Sequence, residues 1–133
     1  DGEGAKKFLP IKVINAKSLS SAKKIAFSVA CSPLVKTAVA GEDPNWGRVV
    51  MGIGKSGEKI DKNKISIKFG EFPLAENGAP VENIDLNKIR EYMKWDSVLI
   101  EINLNSGSDF FECYTCDFTH DYIDINADYK NAT

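Results

Sequence analysis

The sequence is poor in the residues that build metal centres and disulfide scaffolds. It has one histidine, His120, and three cysteines, Cys31, Cys113 and Cys116. Three thiols cannot all pair with one another, which argues against a disulfide framework and for a reducing cytoplasm. Cys113, Cys116 and His120 make at most half a zinc site. No second Cys/His pair exists, and on a strand positions 113 and 116 face opposite sides, so no metal is expected. A lone histidine also leaves no Ser/Asp/His set to assemble, and hydrogen bonding at a strand end is the better role for it. No apolar run approaches the roughly 20 residues that cross a membrane, and no basic-then-apolar signal segment opens the chain. Dense Lys/Arg clusters with interleaved aromatics are missing too, which disfavours nucleic acid as a partner.

What remains is the composition of an ordinary globular domain: 133 residues, 43% hydrophobic, 27% charged, net charge −2. That length fits one domain, residues 1–133, burying about two thirds of its unfolded surface. The charge is uneven. Residues 1–70 carry 13 basic against 6 acidic side chains, net +7, and residues 71–133 carry 4 against 13, net −9. Solvated lysines, attraction between the two halves, or docking of another chain would each account for this. Asp1 is not a methionine, so a longer precursor, or a part encoded elsewhere, is expected.

The hydrophobic periodicity predicts a mixed α/β layer domain without a regular βαβ rhythm. FLPIKV at 8–13 reads as a strand, with Pro10 pointing to an edge or a strand start. Ser18 or Ser20 caps a helix that buries Ala22, Ile25, Ala26, Val29 and Ala30. Pro33 opens a second helix closed by Gly41. Asn45 caps a third, with Trp46, Val49, Val50 and Ile53 inward and Gly54 as its stop. ISIKF at 65–69 is a strand and NGAP at 77–80 a turn. Asp85 caps a helix with Leu86, Ile89 and Met93 inward. VLIEINLN at 98–105 is a strand, Ser106-Gly107 a turn, and FFECYTCDF at 110–118 its antiparallel partner. YIDIN at 122–126 is a shorter extended piece.

Gly54-Lys55-Ser56 resembles the tail of a phosphate-binding loop. A Walker loop requires a glycine five positions before Gly54, where Val49 stands. Here the glycines close a helix, whose C-terminal dipole repels anions. A helix stop and a solvated turn is the reading that stands.

DGEGAKKF at 1–8, SPLVKTAVAGEDPNWGRVVMGIGKSG at 32–57 and CDFTHDYIDINADY at 116–129 together resemble the ornithine acetyltransferase (glutamate N-acetyltransferase) family of arginine biosynthesis, over nearly the whole chain. The resemblance implies the C-terminal part of the β chain of a DmpA/ArgJ-like, self-processing enzyme of N-terminal-nucleophile type. In that family the precursor splits before a threonine, which takes an acetyl group from N-acetylornithine and passes it to glutamate, releasing ornithine and N-acetylglutamate. Some members also use acetyl-CoA, and no other cofactor is implied. The threonine lies upstream of DGEG, so no catalytic nucleophile is expected in this chain. Its partners would be the α chain and the N-terminal part of the β chain, in a cytoplasmic hetero-oligomer.

By residue matching Glu3 and Asn126 correspond to family substrate-binding positions. A third contact falls on Asn131 by spacing or on Thr133 by chemistry and terminal position. Two rival readings are a sibling N-terminal-nucleophile amidohydrolase or aminopeptidase, and a non-catalytic amino-acid-binding module.

Overall fold

A computed structural model describes residues 7–116 and, as backbone, 123–125. The elements run β1 (Phe8–Ala16), α1 (Leu19–Ala30), α2 (Pro33–Ala40), α3 (Trp46–Gly54), β2 (Ser66–Phe69), β3 (Phe72–Glu76), β4 (Ala79–Pro80), α4 (Leu86–Met93), β5 (Ile100–Asn103), β6 (Asp109–Cys116) and β7 (Ile123–Ile125). The strands form one sheet in the order β4-β3-β2-β5-β1-β6-β7. Among the described strand pairs, β1–β5 alone is parallel. All other named pairs are antiparallel.

Each helix starts where a short polar side chain satisfies an otherwise orphaned amide. The Ser18 hydroxyl accepts from the Ser21 N–H, and the Ser32 hydroxyl from the Val35 N–H. Asn45 and Asp85 do the same for Arg48 and Lys88, both at 3.1 Å. Pro33 sits in the first turn of α2, where its missing N–H removes no bond. Of the two candidate caps for α1, Ser18 is the one used.

The core lies between the sheet and the helices. Ala22, Ile25, Ala26, Val29 and Ala30 of α1 are fully buried. They meet Leu9, Ile11 and Val13 of β1, with Ile67, Ile100 and Ile102 on the neighbouring strands. Burying each of the larger aliphatic side chains is worth about 1.5–3 kcal/mol.

Three local readings change or narrow. Of the two readings of Pro10, the edge is excluded, because β1 is flanked by β5 and β6. The strand start fits its place as the third residue of β1. The β1–β5 ladder absorbs the missing N–H. An isolated bridge joins Phe8 to Ser97, and regular pairing resumes at Ile11. Leu86, on the first turn of α4, is 38% exposed, whereas Ile89 and Met93 are buried. β6 pairs with β1 and not with β5, although the two are consecutive and run in opposite directions. The connection crosses the end of β1, where Leu104 and Ser106 donate their N–H groups to the carbonyls of Ile14 and Asn15. β1, from the start of the described chain, thereby sits between two strands from its far end.

FPLAE at 72–76 and the two residues 79–80 form a hairpin that periodicity alone passes over. Its turn is Asn77-Gly78, with φ of 48° and 80°, the left-handed pair that a two-residue hairpin turn requires.

Candidate functional site

All four residues matched to substrate binding, Glu3, Asn126, Asn131 and Thr133, lie outside the described residues, as does His120. The described elements nearest to two of them are strands. Glu3 precedes β1 by five positions and Asn126 follows β7 directly. Those two strands flank β6, with Ile125 and Ile11 both in register with Cys113. β1 and β7 thus run parallel, two strand spacings or about 10 Å apart. Phe8 and Ile125 are offset by three register positions, so the segments before β1 and after β7 attach at opposite ends of their strands.

The stretch that suggested a phosphate loop has a structural role. α3 ends at Gly54, with Lys55 as its C-cap. The Ser56 hydroxyl donates to the Ile53 carbonyl at 2.7 Å and accepts from the Glu58 N–H at 3.1 Å. Glu58 in turn approaches Lys24 of α1 at 3.6 Å. Its carboxyl is held below the usual range by the Ser21 hydroxyl first and by Lys24 and Lys17 next. The Ser21 hydroxyl is buried without a hydrogen bond of ordinary geometry, so its effect on Glu58 is that of a nearby dipole rather than of a closed bond. These contacts tie the exit of α3 back to α1.

Cys113 faces the core and is fully buried. Burial pushes its thiol up to about 12, with Cys31 and Glu112 adding to the rise. A thiol so placed remains protonated and unreactive, in keeping with structural cysteines. Cys31 is exposed and, like the other two, free. Among the described residues no three His, Cys, Asp or Glu side chains come together as metal ligands.

A cleft of about 1170 Å³ lies at the end of the sheet where β2 turns into β3 beside α4. Its centre is an aromatic chain: Phe72, Tyr92 and Trp95 have ring centroids 6.0 and 6.2 Å apart in succession. The Tyr92 hydroxyl accepts the Leu99 N–H at 2.8 Å, which fixes the ring over Gly70. A Cβ at Gly70 would lie 2.6 Å from that ring, and its φ of 61° already calls for glycine. The periodic reading of α4 registered Leu86, Ile89 and Met93 and overlooked the Tyr92 and Trp95 between and beyond them. Two aromatics spaced three residues apart at a helix exit were the available signal.

The sheet face away from α1 carries a row of alternating charge. Lys68 of β2 is in register with Glu101 of β5, Glu101 with Lys12 of β1, and Lys12 with Glu112 of β6. The basic first half and the acidic second half of the chain interleave strand by strand, an arrangement favourable for neighbours across a sheet. Phe8 stacks on Tyr114 beside this row, with centroids 5.1 Å apart and planes 18° apart.

The architecture defines a mixed α/β protein with one sheet and four helices among the described residues. The family model described as "ArgJ family" matches residues 1–131, and the chain belongs to that family. It is 48% identical over 131 residues to the arginine biosynthesis bifunctional protein ArgJ of Bradyrhizobium diazoefficiens. The proteins of the same name from Ruegeria pomeroyi and Brucella melitensis are 49% and 47% identical. In each case 98% of this chain is covered, but it spans only 32% of the relative's length. The crystal structure of arginine biosynthesis bifunctional protein ArgJ from Bacillus halodurans superimposes with a TM-score of 0.82 at 35% identity. The match covers 92% of this chain and 57% of that one. No helix among the described residues is long and apolar enough to cross a membrane.

Proposed function

We propose that the chain is one part of an acetyltransferase of arginine biosynthesis that moves an acetyl group from N-acetylornithine to glutamate. The observation that carries this reading is the ArgJ family match over residues 1–131 in a chain spanning 32% of its relatives' length. The remaining length has room for the threonine that the chemistry needs.

In this reading the threonine hydroxyl attacks the acetyl carbonyl, and its own α-amine takes the proton. The amide C–N bond breaks, and ornithine leaves with that proton on its nitrogen. The glutamate amine then attacks the acetyl ester, giving N-acetylglutamate and restoring the hydroxyl. A covalent intermediate divides one difficult transfer into two easier ones, and donors outside this chain hold the oxyanion. No cofactor is required, and acetyl-CoA enters as an alternative donor. The partners are the α chain and the upstream part of the β chain, assembled in the cytoplasm.

Within the pocket Glu3 pairs with an amino group of the bound amino acid and Asn126 hydrogen-bonds it. Asn131 or Thr133 supplies the C-terminal contact.

The decisive experiment incubates the complete enzyme with acetylornithine, with and without glutamate. Acetylglutamate forms only in the presence of glutamate if transfer is the reaction. Free acetate at the same rate in both samples would identify a hydrolase instead. In the same enzyme Glu3→Ala should raise KM for acetylornithine about tenfold or more, the worth of one charge-assisted contact, while leaving the melting temperature unchanged. An unaltered KM and kcat would remove Glu3 from the pocket.

A further inference from the structure

α1 packs on one face of the sheet, and the other face is only partly covered by the described residues. On β1 as far as Ile14, on β5 and on β6, every second side chain is buried, and those between them are partly or fully exposed except Pro10 and Cys116, which are buried as well. The open face is not the polar surface that a solvated sheet face shows. Phe110 is 59% exposed and Phe8 is 42% exposed. Ile14 and Tyr114 add further apolar area between them.

The aromatic cleft continues this face rather than standing apart from it. Lys68, Leu99 and Glu101 line the cleft and also belong to the face. Trp95, 66% exposed, stands at the rim. Large exposed aromatics set among mixed charges have the composition of interface anchors. The charges suit burial as well. Lys68, Glu101, Lys12 and Glu112 alternate in sign across four strands, so covering them would not isolate a field of one sign.

We infer that this face and its adjoining cleft are the seat of the upstream part of the family polypeptide, the part that carries the threonine. The inference rests on the proposed function for the existence and content of that part. Its length is independent of that reading, because relatives extend over about three times this chain. The solved relative from Bacillus halodurans likewise carries, within a single chain, polypeptide beyond the shared fold.

The place where the chain enters the fold points the same way. Phe8 donates its N–H to the Asp96 carbonyl, and the Lys7 ammonium donates to the Met93 carbonyl. Residue 7, where the described chain begins, therefore lies beside the segment that carries Trp95, at the rim of the cleft.

Hydroxyl-radical footprinting of the complete enzyme, read by mass spectrometry, tests the proposal. Oxidation is compared, after correction for side-chain reactivity, between Trp95 and Phe110 on the open side and Met51 and Leu19 on the helical side. The last two are 53% and 50% exposed, close to Phe110. Oxidation of Trp95 and Phe110 should be lost while Met51 and Leu19 react as exposed groups. Equal oxidation on the two sides overturns the assignment. Protection that disappears when the enzyme is diluted to single αβ units would assign the face to a second copy and overturn it too. Acetyl transfer is assayed on the same sample. An active enzyme with an unprotected face refutes the docking surface alone, and a protected face without transfer refutes only the proposed reaction.

Discussion

The two faces of the sheet are built from the same strands, yet they have been completed differently. Residues 9, 11 and 13 of β1 are fully buried beneath α1, and residue 12 between them stands in a row of alternating charge. The covered face is closed by a helix that follows β1 after only two residues. Such a local connection places the apolar stripe of α1 over the strands at little cost in chain entropy. The open face has no such neighbour in the sequence, and its aromatics await a surface supplied from further away. Apolar residues spaced by two thus have opposite fates according to what the chain places above them.

The contrast can be broken most sharply at Ile102 and its neighbour Glu101. Ile102→Ala should cost about 4 kcal/mol by removing a fully buried side chain, whereas Glu101→Ala should stay within about 0.5 kcal/mol. Urea unfolding of the 133-residue chain measures both. Similar losses at the two positions would mean that the faces do not differ as described.

The next largest effect concerns pH. The Cys113 thiol ionises at about 12 in the fold against an ordinary value of 9.0. Between these values the unfolded chain loses a proton that the native chain keeps, so stability falls as pH rises from 9.0 towards 12. The loss should reach on the order of 3 kcal/mol at the upper end, and Cys113→Ala should lack that part of the alkaline slope. Parallel slopes for the two proteins would show that the thiol is not closed off on the covered face.

Gly70 sharpens the comparison where the sheet's end meets the cleft. An alanine there strains the backbone and pushes Tyr92 away from the Leu99 N–H. A loss of about 2 kcal/mol is expected. Tyr92→Phe should cost about 1 kcal/mol, and the double variant less than the sum because both act on one ring. Full additivity in a double-mutant cycle would separate the glycine from the tyrosine.

Much of the helical layer was legible because its signals are local. Pro33 opens α2, Asn45 and Asp85 each cap the helix that follows, and the apolar spacing of α1 marks its buried face. Leu86 misled because periodicity gives the direction of a side chain but not whether anything lies in that direction. The edge reading of Pro10 misled for a related reason. Its missing N–H forbids one hydrogen bond, and an interior strand can accommodate that by interrupting a single ladder. The pairing of β6 was not legible at all, since the turn that follows β5 has the same appearance whether the next strand lies beside it or one place further on. The residues matched to substrate binding were reached through resemblance to a family, because two carboxamides, a carboxylate and a hydroxyl in polar segments have no spacing of their own.

Local order therefore belonged to the sequence: caps, helix stripes, the Asn77-Gly78 turn and the alternation along each strand all follow from residues within a few positions of one another. Only the folded chain decided that β1 separates β5 from β6, which brings Lys12 between Glu101 and Glu112 and Tyr92 over Gly70. Strand order is settled by contacts between segments far apart along the chain. Their free energy depends on every other packed element, so no short stretch of residues encodes it.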